Sequence, residues 1–303
     1  MTRPSFGIFA DAPWNLETCT PPDEALQVPT MLSDEEARLL FWLGANWATG
    51  EGAVCDLGCF AGGSTARLAA GLSQASVPSP IHAFDFFTIT PEHKEKFLYN
   101  NGVRRFWGQD LLPCARRLLR PWRDRVTFHK TDIVTAEWPG GKIEVLFVDV
   151  MKSPVAADAI LDEFYPHLIP GHSVIVHQDY QHWRQPWIAA QMELLRPGLR
   201  PIAWAEKGTV VFGVDAVPDA GQRAKARVAN MTDQRLIDLL KSAVSRAATT
   251  GARHQLARAI LGLRDCPGCR VPFQFDPGPI NWKRVRGVLD ECGVAVGPVS
   301  PSR

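Results

Sequence analysis

The stretch that decides the fold is residues 53–65, which read AVCDLGCFAGGST. Residues 53–57 are almost wholly apolar, as in a strand covered by helices on both faces, and a glycine-rich turn follows them. Gly58 and Gly62 permit a tight turn and let a ligand approach the backbone. Ser64 is suited to cap the helix that follows. The stretch therefore predicts a strand–turn–helix unit with a ligand at its turn.

The same alternation of apolar runs and helical patterns continues on both sides of this unit. Ser33 opens a capping-box pattern that predicts a helix. Two late runs, 201–205 and 209–214, flank a short loop with a glycine and predict an antiparallel hairpin. The remaining predicted strands are 53–57, 81–84, 126–129, 145–148 and 173–176, and the predicted helices are 64–72, 111–119, 156–168 and 186–195. This order predicts an α/β fold: a Rossmann-like class I methyltransferase sheet, mostly parallel with a terminal antiparallel hairpin.

The composition changes near residue 217, which gives three predicted segments. Residues 1–33 form an N-terminal arm rich in proline and acid, 34–216 the α/β domain, and 217–303 a helical C-terminal extension. Within the extension, Cys266 and Cys269 enclose Pro-Gly, a pattern that predicts a tight turn. Half of a zinc site is the alternative for this pair.

Acids stand at the ends of the first three predicted strands: Asp56, Asp85 and Asp132. The carboxyl ends of adjacent parallel strands form the crevice where open α/β sheets bind ligands. We expect Asp56 to receive the ammonium group of a methionine moiety, Asp85 the ribose hydroxyls and Asp132 the adenine amino group. The N–H groups of Gly63 and Ser64 are then placed to hold the carboxylate. The predicted cofactor is S-adenosyl-L-methionine, although each acid alone is equally consistent with a helix cap or a loop acid.

Bulk properties limit the partners. The chain has 303 residues and a formal net charge of +1, without the concentrated basic charge of a nucleic-acid-binding protein. We see no apolar stretch near the ~20 residues of a membrane span, and Asp11 and Pro13 interrupt the region a secretion signal would occupy. We therefore expect a cytoplasmic protein with a small-molecule partner, no nucleic acid and no membrane, and self-association as an option. The seven cysteines are expected to be reduced thiols.

Four segments, DLGCFAGGST, AFDFF, LFVDVMKS and LIPGHSVIVHQDY, together resemble the macrocin O-methyltransferase-like group of class I methyltransferases. The similarity covers about residues 33–215. It implies methyl transfer from S-adenosylmethionine to a sugar hydroxyl of a specialised metabolite, often with a divalent ion. Members typically have an Asp after the fourth strand, here Asp149, and Asp-Asp-Tyr after the fifth, here Gln178-Asp179-Tyr180. The resemblance thus gives Asp149, Gln178 and Asp179 as candidate Mg²⁺ ligands, with Gln178 and Met151 standing where acids are usual.

Methyl transfer requires little from the protein beyond alignment of the acceptor and removal of its proton. The candidate catalytic residues are His177, Asp149 and His182, since a neutral imidazole or a carboxylate can accept that proton. His177 directly follows a buried strand, so a core histidine is the alternative for it. Trp183 and Trp187 either line an acceptor pocket or pack the next helix on the sheet.

Several other features keep alternatives open. Lys152 is suited to hold an acidic acceptor or to lie in solvent at a helix start. The insertion 88–107 is either a lid over the crevice or an ordinary helix with an aromatic face. A nicotinamide-dependent oxidoreductase is the main competing function, although the glycine spacing lacks the GxGxxG pattern that seats a pyrophosphate. The second competing function is that of a catalytically degenerate protein that binds S-adenosylmethionine.

Overall fold

The structure is a computed structural model that describes residues 4–276 and 278–294. The ends of the predicted arm and of the predicted extension lie outside the described residues. The chain divides into two compact units. Unit 1 comprises Met1–Val150, Glu163–Gln178 and Arg200–Val217, and unit 2 comprises Met151–Asp162, Asp179–Leu199 and Pro218–Arg303.

Seven strands form one sheet in the order β3-β2-β1-β4-β5-β7-β6. Strands β1 to β5 pair in parallel, and β7 runs antiparallel to β5 and closes the sheet with β6. The predicted fold is confirmed as a mostly parallel, Rossmann-like α/β sheet that ends in an antiparallel hairpin. The strands are β1 (Ala53–Leu57), β2 (Ile81–Asp85), β3 (Val126–Lys130), β4 (Ile143–Val148), β5 (Val174–His177), β6 (Leu199–Trp204) and β7 (Val210–Val214).

Helices alternate with the parallel strands and continue beyond the sheet. They are α1 (Asp23–Leu26), α2 (Asp34–Trp42), α3 (Gly63–Gln74), α4 (Pro91–Phe97), α5 (Leu112–Leu118), α6 (Pro154–Glu163), α7 (Pro186–Leu195), α8 (Ala220–Ala226), α9 (Asp233–Arg246), α10 (Thr250–Asp265) and α11 (Trp282–Glu291). The capping box predicted at Ser33 is present, with Ser33 and Glu36 each bonding the other's backbone N–H. In the part of the chain that the structure describes, no helix is both long enough and apolar enough to cross a membrane.

The glycine-rich turn between β1 and α3 lies where the strand order reverses, since β1 pairs with β2 on one side and β4 on the other. Gly58 and Gly62 have φ of 106° and 101°, a region that favours glycine. The prediction that Ser64 caps α3 is wrong: Gly62 is the N-cap residue and no side chain caps this helix. The turn therefore presents an uncapped helix N-terminus at the carboxyl edge of the sheet.

The predicted N-terminal arm forms a series of short helical turns rather than an irregular segment. Phe9 lies against the rings of Trp14, Trp42 and Trp47 at centroid distances of 6.1, 5.1 and 4.9 Å. All four rings are almost fully buried in the hydrophobic core of unit 1. The aromatic residues scattered before residue 50 thus anchor the arm to the end of α2.

Unit 2 is built mainly from helices, with α7 packed on α9, and α10 on α9 and α11. Trp187 is fully buried and its Nε1 donates to the carbonyl oxygen of Met151, so this tryptophan packs a helix. The predicted tight turn at Cys266 is confirmed, since the N–H of Cys269 donates to the Cys266 carbonyl and Gly268 has a φ of 77°. Within the described residues, no cluster of three or more His, Cys, Asp or Glu is arranged to hold a metal ion.

Candidate functional site

A cavity lies at the carboxyl edge of the sheet in unit 1, over the glycine-rich turn. It brings together four of the predicted site residues, Gly58, Gly63, Ser64 and Asp149, with a segment of the arm. The lining consists of Pro29, Thr30, Met31, Leu32, Gly58, Cys59, Phe60, Gly63, Ser64, Phe147 and Asp149. Gly62, Asp56, Asp85 and Asp132 are not among these lining residues.

At the glycines of the turn, the neighbouring residues leave no room for a side chain. A Cβ on Gly58 would lie 2.9 Å from the carbonyl oxygen of Asp149, and one on Gly62 2.7 Å from side-chain carbons of Leu119. A Cβ on Gly63 would lie 2.5 Å from that of Thr30. Gly58 and Gly63 therefore contribute only backbone to the cavity wall, beside the side chains of the other lining residues. The N–H groups at the start of α3, together with the helix dipole, favour an anionic group at this wall.

Asp56 lies behind the turn and is fully buried. Its Oδ2 accepts hydrogen bonds from the hydroxyls of Ser64 at 2.7 Å and Thr65 at 2.5 Å, which secures the first turn of α3. Its Oδ1 is buried without a hydrogen-bond partner among the described residues. Burial is the main cause that raises the pKa of this carboxyl to about 6. Asp56 thus shapes the turn and retains one unfilled acceptor.

Asp85 and Asp132 also contact backbone. Asp85 accepts the N–H of Phe60 at 2.9 Å and that of Phe87 at 2.6 Å, and it is partly buried. Burial raises its pKa, while these two N–H donors lower it less. Asp132 lies two residues past the end of β3, where its carboxylate accepts the N–H of Val134 at 2.9 Å. Asp85 fixes the position of Phe60, a lining residue, and each carboxylate keeps lone pairs for further donors.

Sequence reasoning missed the residues that hold the arm over the cavity. Arg67 on α3 is buried, and its Nη1 donates to the carbonyl oxygens of Val28 at 2.8 Å and Gly63 at 3.0 Å. This places Thr30 and Met31 in the cavity wall. The available signal was a single arginine inside the apolar helical run 66–72. A charged residue in such a run needs internal partners when the helix is buried.

The structure places His177 in the core of unit 1. Only 1% of this residue is exposed, and its Nε2 lies 3.0 Å from the hydroxyl of Tyr165. Burial lowers the pKa of the His177 imidazole to about 3, so the ring is neutral at physiological pH. Neighbouring Gln178 donates from its side-chain amide to Glu36 at 3.4 Å, and its carbonyl accepts from Thr209. His177 is thus buried against Tyr165 and is not a lining residue of the cavity.

The other acceptor-side candidates belong to unit 2. The carboxylate of Asp179 accepts a hydrogen bond from Gln185 at 2.7 Å and forms an ion pair with Lys152. Burial raises the pKa of Asp179, but Lys152 and Gln185 outweigh it and the net shift is downward. The pKa of His182 is lowered, mainly by burial and against the attraction of Asp179. The lowered pKa keeps the His182 imidazole neutral at neutral pH and makes it a weaker base than a free imidazole.

The insertion between β2 and β3 contains α4 and a cleft of its own in unit 1. Lys94, Tyr99, Phe106 and Trp107 are among the residues that line this cleft. Lys94 is buried, donates to the carbonyl oxygen of Phe106 at 3.3 Å and lies 4.2 Å from the centroid of its ring. Trp107 is fully exposed. The insertion thus contains one short helix followed by an aromatic segment, and the lid stays a prediction.

No protein-family model matches this chain, and no curated protein sequence matches it. Solved structures do match it at low similarity. A SAH-bound methyltransferase of Podospora anserina is 14% identical, with 70% of this chain and 89% of that chain covered and a TM-score of 0.40. The 23S rRNA methyltransferase ErmE is 13% identical, with 86% and 90% covered and a TM-score of 0.35.

A third match is the geranyl diphosphate C-methyltransferase of Streptomyces coelicolor A3(2) in complex with Mg²⁺, geranyl diphosphate and S-adenosyl-L-homocysteine. It is 12% identical, with 87% of this chain and 94% of that chain covered and a TM-score of 0.29. All three of these structures are methyltransferases. The fold class is carried by the strand order described above.

Proposed function

We propose that this chain binds S-adenosylmethionine at the glycine-rich turn and transfers its methyl group to a hydroxyl of a small molecule. The observation that supports this most directly is the bare backbone wall formed by Gly58 and Gly63 at the uncapped start of α3. This wall lies at the carboxyl edge of the sheet beside the switch point, where open α/β sheets bind ligands. The resemblance to the macrocin O-methyltransferase-like group supports a sugar or specialised-metabolite hydroxyl as the acceptor.

In this proposal each predicted cofactor residue has a distinct task. The first N–H groups of α3, at Gly63 and Ser64, hold the methionine carboxylate. The Oδ1 of Asp56, which is buried without a hydrogen-bond partner among the described residues, accepts the ammonium group once the loop moves to expose it. Asp85 and Asp132 supply acceptors for ribose and adenine from the ends of the neighbouring strands.

When bound, S-adenosylmethionine supplies a methyl group on a sulfonium that is a good leaving group. The protein must then hold the acceptor oxygen in line and remove its proton. Asp149 lines the cavity and is our first candidate for this role in unit 1. His182 is the candidate that unit 2 provides. We assign His177 a supporting position in the core because of its burial and low pKa.

Isothermal titration calorimetry with S-adenosylhomocysteine (SAH) and with NAD⁺ tests the cofactor. We expect saturable SAH binding and none with NAD⁺, whereas selective NAD⁺ binding would replace the proposal with an oxidoreductase. Transfer of an isotopically labelled methyl group to compounds of a metabolite extract then tests the activity. SAH binding without transfer to any acceptor would favour a degenerate binding protein.

The affinity for SAH is expected to depend on pH through Asp56. Its raised pKa of about 6 means that the carboxyl is protonated below that pH and ionised above it. An ammonium group prefers the ionised form, so binding should weaken as pH falls through about 6 and level off above about 7. Calorimetric titrations between about pH 5 and pH 8 measure this. Asp56→Asn keeps an oxygen for Ser64 and Thr65 and should remove the dependence, and an unchanged pH profile in that variant would contradict the assignment.

A divalent ion does not fit the residues predicted to hold it. In unit 1 the Gln178 amide donates to Glu36, and in unit 2 the Asp179 carboxylate already holds the ammonium group of Lys152. Mg²⁺ requires several oxygen ligands in near-octahedral geometry, and no metal-binding cluster occurs in residues 4–276 and 278–294. We expect labelled methyl transfer to be unchanged after exhaustive chelation. Activity that falls on chelation and returns with added Mg²⁺ would reinstate the metal.

A further inference from the structure

Two arginines in unit 2 lie over one tryptophan. The guanidinium carbons of Arg184 and Arg258 are each 4.8 Å from the centroid of the Trp183 ring. Phe275 meets the same ring edge-on at 6.5 Å. Gly262 on α10 faces both rings, and a Cβ there would lie 3.1 Å from Phe275. The indole is therefore a fixed platform, and both guanidinium groups are oriented by it.

Among the described residues, neither arginine forms an ion pair with a carboxylate, as most arginines of this unit do. Arg258 donates to the amide oxygen of Gln255 at 3.0 Å, and the Nε of Arg184 is buried without a hydrogen-bond partner among the described residues. Other arginines of unit 2 are in ion pairs with carboxylates: Arg227 with Asp162, Arg246 with Glu193, Arg264 with Glu291, Arg270 with Asp233 and Arg284 with Asp265. Arg184 and Arg258 thus carry charge that the described part of unit 2 does not neutralise through an ion pair.

The arrangement is electrostatically unfavourable without a ligand. Burial is the first cause that lowers the pKa of Arg258, and repulsion from Arg184 is the second. The same two arginines and Lys152 also act to lower the pKa of His182, against the pull of Asp179. Two like charges held close together in a partly buried place cost free energy unless an anion lies between them.

The surroundings suit an anionic ligand. A cleft in unit 2 is lined by polar residues that include Trp183, Arg258, Asp265, Asn281 and Arg284. Arg184 contacts the Trp183 ring but is not itself a lining residue of this cleft. Arg284 is the member of this lining that already pairs with Asp265. Basic residues outnumber acidic ones in unit 2, whereas the reverse holds in unit 1. A long-range field of this sign attracts anions to unit 2.

We propose that Arg184 and Arg258, stacked on Trp183, bind the phosphate group of a small molecule. Two planar guanidinium forks match the several oxygens and double charge of a phosphate ester better than the two oxygens of a single carboxylate. The segment from Asp179 to Arg184 also contains His182, one of the candidate acceptor-side residues. That the phosphate belongs to the methyl acceptor rests on the proposed function. The anion site itself does not.

Thermal unfolding in increasing inorganic phosphate, with chloride replaced to hold the ionic strength constant, tests the site. A ligand that binds only the folded state raises the melting temperature in a saturable way. We expect this response in the wild type and in Arg235→Gln, which removes the same charge from an exposed position of unit 2. Arg184→Gln and Arg258→Gln should each weaken phosphate binding by about tenfold or more, the loss of a charge-assisted contact. Arg258→Lys keeps the charge but not the forked guanidinium, so its phosphate affinity should lie between those of the wild type and Arg258→Gln.

A second readout separates binding from a purely structural role. In chloride alone, Arg258→Gln should melt at the same temperature as the wild type or higher, because it removes the repulsion from Arg184. A sugar phosphate such as glucose 6-phosphate should bind in the same way, and glucose should not. The proposal is overturned if the wild type shows no saturable response to phosphate, or if Arg235→Gln loses as much of it as Arg258→Gln. SAH binding, measured separately, reports on the proposed function and is expected to survive all of these substitutions.

Discussion

Gly58→Ala should abolish measurable SAH binding and lower the free energy of unfolding by about 2–5 kcal/mol. The left-handed backbone at this position, with a φ of 106°, costs about 1–2 kcal/mol when a Cβ is present. The new Cβ would also lie 2.9 Å from the carbonyl oxygen of Asp149, and such overpacking costs about 1–3 kcal/mol more. Because relief of that contact moves the turn or the end of β4, the cavity wall changes shape. Urea unfolding and calorimetry with SAH measure the two effects.

Gly140→Ala is the matched control for this substitution. Gly140 has a φ of 107°, almost the same as that of Gly58, but a Cβ there would have no neighbour within 4 Å. The control should therefore show the backbone cost alone, about 1–2 kcal/mol, and bind SAH as the wild type does. Equal losses of stability in the two variants, with SAH binding retained in both, would show that the turn is not a ligand cradle.

The fold was predictable because its signals are local. Each parallel strand is a short apolar run, and the runs that predicted β1, β2 and β3 end within one residue of the observed strands. The capping box at Ser33 and the hairpin loop before β7 depend only on residues close together in the chain. The turn at residues 58–63 was recognisable for the same reason, since its glycines are required by backbone geometry rather than by distant contacts.

The residues that line the cavity were harder to predict, because their positions depend on contacts between residues distant in sequence. Thr30 reaches the wall only because Arg67 bonds carbonyl oxygens of the arm about forty residues earlier in the chain. Nor does the sequence show whether an acid at a strand end faces a cavity or the interior. Asp56 turned out to bond Ser64 and Thr65, and this altered the predicted role of Ser64 from helix cap to acid partner.

The glutamine at position 178 has a comparable explanation. Glu36 is almost completely buried, and one of its carboxylate oxygens accepts from the Thr209 hydroxyl at 2.5 Å and from the Gln178 amide. An aspartate at 178 would place a second carboxylate against the first and would leave Glu36 with one donor fewer. A donor at position 178 is thus required by a partner that is distant in sequence, the Glu36 of the α2 capping box.

A buried network at the opposite edge of the sheet is the strongest candidate for a purely structural role. Glu144, near the start of β4, is completely buried and bonds His172 at 2.5 Å. It also accepts the N–H of Thr49 at 2.6 Å, the Thr49 hydroxyl at 2.7 Å and the N–H of Gly50 at 3.2 Å. The His172 ring stacks on Trp47 at 5.4 Å. One carboxylate thus joins the loop before β1 to the segment before β5.

Glu144→Gln should lower the free energy of unfolding by about 2–4 kcal/mol, because buried donors that lose a carboxylate acceptor cost about 1–3 kcal/mol each. The side-chain NH2 of the glutamine would face a donor from which it cannot accept, because only its carbonyl oxygen is an acceptor. SAH affinity should not change, because the network lies at the amino ends of the strands. Burial alone would raise the pKa of Glu144, but His172 and Thr49 hold it below its ordinary value of 4.5. The stability it contributes is therefore present above about pH 4.5 and lost as pH falls through the lower, folded-state pKa.

Urea unfolding followed between about pH 3 and pH 7 should show this acid-sensitive component in the wild type and not in Glu144→Gln. Glu137→Gln, an exposed site in the same unit, is the control and should change stability by about 0.5 kcal/mol or less. If Glu144→Gln matched that control at neutral pH, the network would not hold the sheet together. If it instead lost SAH binding while remaining folded, the two edges of the sheet would be coupled, and the separation of a stabilising edge from a ligand-binding edge would have to be abandoned.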